Sequence, residues 1–496
     1  MQNAISPAAF PLGVSDNDIA QPLPAHVRYM DDLDLVRCLH GGTRIMRRAG
    51  RRYLPQEEGE TDKSYQNRLS RSVLANYYRR TLEKLVGQVF AEDLEPTNDL
   101  PDAVYALLSD IDLAGANVSV FMRDVFYVSL HKGLCHVMVE YPRVEGQTLA
   151  DHRRAGARPY WTIIDPECVI GWRHKDIGGR KVLTQLRVLE TVEVESGLYG
   201  VDTVRRIRLY EPGRWKIWQL DEGASEWKDA VDPATGERLE GTTTLGYIPL
   251  VTLMPGERTS EMTAVPCLQG LAELNCRHWQ SASDQQNILH YARLITFFGK
   301  CLDVDETGQV VFGANRLIHS TSADADLRVV EHSGAGIEAG RADLKDLEQA
   351  MALFGLQLLL PRVSGQTATQ NAIEKGESDS ALLAWTRKLA GALQELLRCT
   401  CDWLGIEAQG ALVPYTGFAD SFNSADVSTL IEGYKAGLLP RELVITELKE
   451  RGVIGTDYDM VELARMFEED ARATAAMQAG FPGGTIPPAM DDGAGE

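Results

Sequence analysis

The chain has 496 residues, 44% of them hydrophobic and 24% charged, and a formal net charge of −21. That length predicts a large core and two or more domains, and the acidity argues against a general nucleic-acid coat, which is normally basic. Eight scattered cysteines read as reduced thiols in a cytoplasm-like compartment rather than a disulfide framework.

Met1 to Pro24 lacks the basic start and apolar core of a signal peptide. No run reaches the roughly 18 apolar residues of a membrane-spanning helix. Residues 1–25, rich in Pro, Ala and Asn, are expected to form a flexible arm. From 26 to 140 the pattern is mostly helical. Tyr65, Leu69, Val73 and Tyr77 fall on one face, and Leu82, Leu85, Val86 and Val89 continue it. Between Arg28 and Lys84 there are 13 basic and 8 acidic residues. The densest cluster is Arg44, Arg47, Arg48, Arg51 and Arg52. It fits contact with phosphates or with an acidic partner; a solvated helix face is the commoner explanation of such a cluster. Cys135-His136 sits in the apolar run Leu134 to Val139, which predicts a buried strand or helix.

Between 158 and 255 the period changes. Trp161 to Ile164, Val182 to Val194, Val204 to Tyr210 and Trp215 to Leu220 read as strands. Glu211-Pro212-Gly213-Arg214 is a turn signal between the last two.

Helix returns after Pro266, from about Cys267 to Phe298, roughly 45 Å long at 1.5 Å per residue. Its middle, Asn275 to Asn287, is polar on all sides, so it needs neighbours or solvent around it. A compact β-rich stretch, Cys301 to Glu331, follows with a turn at Glu306-Thr307-Gly308. Arg341 to Leu360 is helical again, with Leu344, Leu347, Met351, Phe354 and Leu358 in phase, and Pro361 stops it. After a short polar loop, a second helix is expected to run to Trp403-Leu404. Asn371 and Glu374 read as its capping box and Gly376 as a kink. From Asp420 to Glu496 the balance is 15 acidic against 6 basic residues.

Catalytic and ligand motifs are weak. Gly299-Lys300-Cys301 lacks the Ser or Thr that ends a phosphate-binding loop. Gly334-Ala335-Gly336 has Gly340 at the wrong spacing for a dinucleotide site and reads as a flexible lead-in to a helix. Asp303, Asp305, Thr307 and Gly308 resemble the opening of a calcium loop, but Ala314 stands where the bidentate Glu belongs, so a β-turn is favoured. Cys399-Thr400-Cys401 has no companion pair and reads as core beside Trp403.

Several stretches together resemble the portal proteins of tailed bacteriophages, in particular a divergent family long described only as a domain of unknown function. They are Gly50-Arg51-Arg52-Tyr53-Leu54-Pro55, Tyr65-Gln66-Asn67-Arg68-Leu69, Asn76, Arg80-Thr81 and Gly87-Gln88-Val89-Phe90. Further on come Pro159-Tyr160-Trp161, Val169-Ile170-Gly171-Trp172 and Tyr247-Ile248-Pro249-Leu250-Val251. The resemblance spans about 28–470, and the order helix, β module, helix, loop, long helix belongs to it.

The resemblance implies an α+β portal-type subunit. Residues 1–25 would be the arm and 26–260 the wing, helical over 26–140 and β-rich over 158–255. Stem helices would occupy 261–298 and 338–359 around a small β-rich clip at 299–337. A tunnel loop at 360–369, a long kinked helix and wing return at 370–419, a helical crown at 420–470 and a flexible tail at 471–496 complete the order. It further implies a ring, twelve subunits in the virion, at one capsid vertex. Double-stranded DNA would pass through its channel during packaging and ejection. The clip residues Asp303, Asp305, Glu306, Gln309 and Arg316 would dock the terminase large subunit and later the head–tail adaptor. The tunnel-loop residues Pro361, Arg362, Val363, Ser364, Gly365 and Gln366 would face DNA. Arg362, the one charge there, would touch phosphates weakly or form an intersubunit ion pair. Major capsid and scaffold proteins complete the partners; no membrane, cofactor, metal or catalytic residue is expected. An acidic channel would guide DNA without gripping it, and the polar first stem helix would face the lumen and sibling helices. The alternative is an enzyme of DNA processing or head morphogenesis with an unrecognised site.

Overall fold

The computed structural model describes residues 19–142, 156–196, 199–221, 223–232, 235–293, 296–301, 322–330, 334–357 and 380–419. The chain divides into two units after Tyr415. Of the second, only 416–419 are described, with a short 3₁₀ turn at Gly417–Ala419. The expected crown, the tail and residues 1–18 of the arm lie outside the described residues; residues 19–25, expected to be flexible, are instead packed, with Ala20 buried, the Leu23 N–H on the Ile170 carbonyl and Pro24 opening a helix.

A helical layer opens the first unit. Helix α1 (Pro24–His40) has a proline in its first turn and buries Tyr29, Met30, Leu33, Val36 and Leu39, a stripe at three- and four-residue steps. Helix α2 (Gly42–Ala49) carries three of the clustered arginines and buries only Met46. The face expected to run from Tyr65 to Tyr77 is split between two helices. Helix α3 (Asp62–Arg71) starts on Thr61, whose hydroxyl accepts from the Ser64 N–H, and ends at Ser72 in extended backbone. Helix α4 (Tyr77–Val89) begins on Asn76, whose side chain accepts from the Arg79 N–H. Val73, between them, is 55% exposed. From Leu82 onward the expected face holds: Leu82, Leu85, Val86 and Val89 are all buried.

A four-residue helix, α5 (Asp102–Tyr105), precedes α6 (Val118–Lys132), which ends on Gly133 at φ +83. A Cβ on Gly133 would lie 2.6 Å from the Val265 carbonyl oxygen, so glycine is required twice over, by conformation and by space. The chain then enters strand β1 (Cys135–Glu140), in which Cys135 to Val139 are all buried. That run is continuous rather than alternating because helices lie against this small sheet. Strand β1 is central, flanked antiparallel by β2 (Tyr160–Ile164) and by the strand Leu250–Leu253.

The second sheet is built from β3 (Val169–Ile177), β4 (Arg180–Ser196), β5 (Gly200–Glu211), β6 (Arg214–Leu220) and β7 (Lys228–Asp229) in sequence order, with β8 (Glu240–Thr242) also on β6. The expected turn joins β5 to β6 in the register Glu211↔Arg214 and Tyr210↔Trp215. Met138, Ile164, Trp172, Leu186, Val188 and Ile248 form one buried cluster tying the two sheets together. The Leu250–Leu253 strand is β9.

Helix α7 (Gln269–Ala292) follows, then strand β10 (Thr296–Lys300), strand β11 (Asp326–Val330) and helix α8 (Ala335–Gln357). Helix α7 is shorter than the Cys267–Phe298 expected, because Phe297 and Phe298 belong to β10. β10 and β11 pair antiparallel from Thr296↔Val330 to Lys300↔Asp326. The last helix, α9 (Ala381–Leu404), starts on Ser380, whose hydroxyl accepts from the Leu383 N–H in extended backbone geometry. That cap corrects the expectation of a helix running unbroken through Ser380. The Asn371 capping box and Gly376 lie outside the described residues. α9 docks on the small sheet through two indoles: Trp161 Nε1 donates to Thr400 Oγ1 at 2.9 Å, and Trp403 Nε1 to the Val139 carbonyl at 2.9 Å.

Candidate functional site

The two expected contact sets, Asp303, Asp305, Glu306, Gln309, Arg316 and Pro361, Arg362, Val363, Ser364, Gly365, Gln366, lie outside the described residues. What the structure describes is the scaffold that flanks them: the α7–α8 pair and the β10–β11 ribbon.

α7 and α8 run antiparallel. Arg277 and Ser281 meet Asp343, His278 meets Glu348, and Gln285 donates to the Ile337 carbonyl at 2.9 Å. At 24 and 23 residues they are each roughly 35 Å long. Gly340 makes room for the Gln285 side chain between them: an added Cβ would stand 2.1 Å from Gln285 Oε1. Leu347 and Met351 are buried on α8, while Leu353 is 54% exposed.

The polar middle of α7 finds neighbours, as its composition requires, within the chain itself. Its buried and half-buried polar groups are satisfied largely by the chain's own helical layer. Asn275 Oδ1 accepts from the Tyr78 N–H at 3.0 Å, and its Nδ2 donates to the Ala75 carbonyl at 2.9 Å. Asn275 therefore caps the first turn of α4 from a distant part of the chain. Ser283 Oγ bonds Ser72 Oγ at 2.8 Å. Asn287 accepts from Arg71 at 3.1 Å, and Gln280 donates to the Tyr53 carbonyl at 3.1 Å. Arg68, 3% exposed, is held by Glu60, the Pro55 carbonyl and, at 3.4 Å, Asp284. The Arg68 hydrogen bond keeps the Glu60 carboxyl below its ordinary pKa, whereas burial raises that of Asp284. The break between α3 and α4 and the polarity of α7 are two sides of one seam.

The basic cluster divides. Arg51 pairs with Asp62 at 2.7 Å, Arg52 pairs with Asp34, and Arg47 donates to the Ser72 carbonyl at 2.9 Å. Arg44 and Arg48 are exposed, and no ion pair holds them among the described residues.

Two buried charge networks escaped sequence reading. Lys132 Nζ sits 2.6 Å from Asp165 and 2.7 Å from Glu167, with Arg37 also on Glu167 at 3.4 Å. Burial disfavours the ammonium, but the two carboxylates outweigh it and hold Lys132 above the ordinary lysine pKa. Glu140 accepts from Tyr160, Tyr210 and Arg208 at 2.9, 2.7 and 3.3 Å. Nothing in the local spacing of these residues foretold either network; both join separate elements.

Cys399 and Cys401 are buried on α9, and burial raises both thiols. Cys135 and His136 lie in the buried strand β1, where burial pushes the His136 pKa down to about 4. Gly299 and Lys300 end a strand rather than opening a helix, which removes the geometry of a phosphate loop. Among the described residues, no group of three His, Cys, Asp or Glu is arranged to hold a metal ion, and no helix is long and apolar enough to cross a membrane. An open groove of about 670 Å³ between β9 and α9 is lined by Tyr247, Val251, Arg258, Lys388 and Arg398. Two of its three cations are engaged: Lys388 with the Met254 and Pro255 carbonyls, Arg398 with Glu395 and Asp402.

Residues 267–404 match the family model "Domain of unknown function (DUF4055)". They hold α7, β10, β11, α8 and α9, well under half of the chain. Among solved structures, the neck of a native gene transfer agent particle computed with C12 symmetry is 12% identical at a TM-score of 0.37, over 76% of this chain and 89% of that one. The neck of the empty particle, computed with C6 symmetry, gives 12% and 0.37 over 75% and 89%. The virion of the native particle gives 12% and 0.35 over 75% and 89%. At these values the likeness bears on neither the activity nor the partners of this chain. No curated protein matches it.

Proposed function

We propose that this chain is a portal-type ring subunit: a structural component of a phage-like particle, without chemistry of its own, whose ring passes double-stranded DNA. A terminase motor and a head–tail adaptor would dock at the segment between β10 and β11. The reading is supported by the sequence stretches that resemble portal proteins. The structural observation that carries it is the unit α7, β10–β11, α8. Two antiparallel helices pack on each other and are joined at one end through a two-stranded ribbon. α9 then returns the chain to the sheet. A ribbon carried by a helix pair that is itself anchored on the helical layer is suited to hold a docking segment in a fixed place.

The test is replacement of residues 362–366 by a shorter Gly-containing loop in a particle-assembly assay. Rings should still assemble, while DNA packaging or retention falls. Loss of assembly would show that the loop is an intersubunit contact and would contradict its placement at the channel.

A further inference from the structure

The six-stranded sheet carries a hairpin that outruns its neighbours. Among the described residues, β4 past Val188 pairs only with β5, and β5 before Arg205 only with β4. About five residue pairs therefore extend as a bare ribbon, roughly 17 Å at 3.3 Å per residue. Such a two-stranded ribbon has little stability of its own. Its far end exposes apolar side chains, Tyr199 at 97% and Val201 at 58%. From Glu190 to Val204 there are four carboxylates and no basic residue. Glu190 is neutralised by Arg208 at 3.1 Å, but Glu193 and Asp202 are exposed and in no ion pair among the described residues.

The opposite charge stands elsewhere in the chain. Helix α2 contains three arginines and no acid. Arg44 and Arg48, four residues apart and so on one face, are exposed and in no ion pair among the described residues, unlike Arg51 and Arg52 beside them. α2 packs on α1 and on the turn 50–52, in the helical layer, whereas the hairpin belongs to the sheet.

We propose that the β4–β5 hairpin of one copy docks on the Arg44–Arg48 face of a second copy of this chain. Each subunit then offers one acidic and one basic surface, the head-to-tail arrangement that closes into a ring when the rotation allows. The hairpin's carboxylates meet the guanidinium groups, and Tyr199 and Val201 gain cover. Duplex DNA is the competing occupant of the arginine face; the chain's charge of −21 disfavours it at long range. The proposal rests on the ring reading above and adds which surfaces meet.

The experiment is sedimentation velocity of the full chain across a salt series, for wild type, R44E/R48E, E193K/D202K and the four-fold combination. Each charge reversal should weaken self-association about tenfold or more, and the combination should restore it to within about threefold. Wild-type association should also weaken as salt rises. Wild-type assembly with all variants equal would overturn the docking while leaving the ring standing. Two weakened pairs with no rescue in the combination would overturn it too. So would an R44E/R48E protein that assembles normally but loses duplex DNA binding, since the face would then serve nucleic acid. A wild type that stays monomeric throughout removes the ring reading and the docking together.

Discussion

At Gly133 an added methyl group meets both a conformational and a steric obstacle. The residue ends α6 at positive φ and leaves no room before the Val265 carbonyl. Gly133→Ala is expected to lower stability by about 2 kcal/mol or more, read as a drop in the denaturation midpoint. Three buried histidines set the acid limit. Burial lowers His26 and His136 to about 4 and takes His131 well below the ordinary value. Each is neutral when folded and takes a proton on unfolding below about 6.5. Stability is therefore fully present above that pH and falls as pH drops from 6.5 towards 4. His136→Gln should remove about 1.4 kcal/mol per pH unit from that slope; an unchanged slope would mean that His136 is already charged in the fold. At this scale the sequence was legible where neighbours share an element, as with Cys135-His136 in an apolar run. It was silent on Lys132, because Asp165 and Glu167 reach it from another part of the chain.

Among the elements, α7 has the most to explain. Read alone, its polar residues called for neighbours or solvent; folded, they are the matching half of the gap between α3 and α4. Asn275 supplies both a cap and a donor there. Asn275→Ala leaves the buried Tyr78 N–H without its partner and takes one of two hydrogen bonds from the Ala75 carbonyl, which keeps that from the Tyr77 N–H. It should cost about 2–3 kcal/mol in urea titration; a change below about 0.5 kcal/mol would show that solvent reaches the seam. Strands β4 to β6 were legible because alternation and the Glu211–Arg214 turn are local signals. The end of α7 was not, since Leu294, Ile295 and the phenylalanines continue its apolar pattern and the pairing that draws Phe297 into β10 comes from Val329, far along the chain. Ser380 was passed over because its cap is a single side chain inside an otherwise helical pattern.

For the whole molecule, the α+β architecture was legible and is seen among the described residues, as a helical layer, a three-stranded and a six-stranded antiparallel sheet, and an antiparallel helix pair that carries a two-stranded ribbon. Position in a ring was not, because a head-to-tail surface resembles any solvated surface until a second copy covers it. The family resemblance, rather than composition or period, carried the functional reading. The claim on which everything else depends is that copies of this chain close around a channel. Electron microscopy of the purified full chain, viewed down the particle axis, tests it most directly. The account predicts rings of about twelve subunits with an open centre. Compact monomers or dimers at every salt concentration would contradict it.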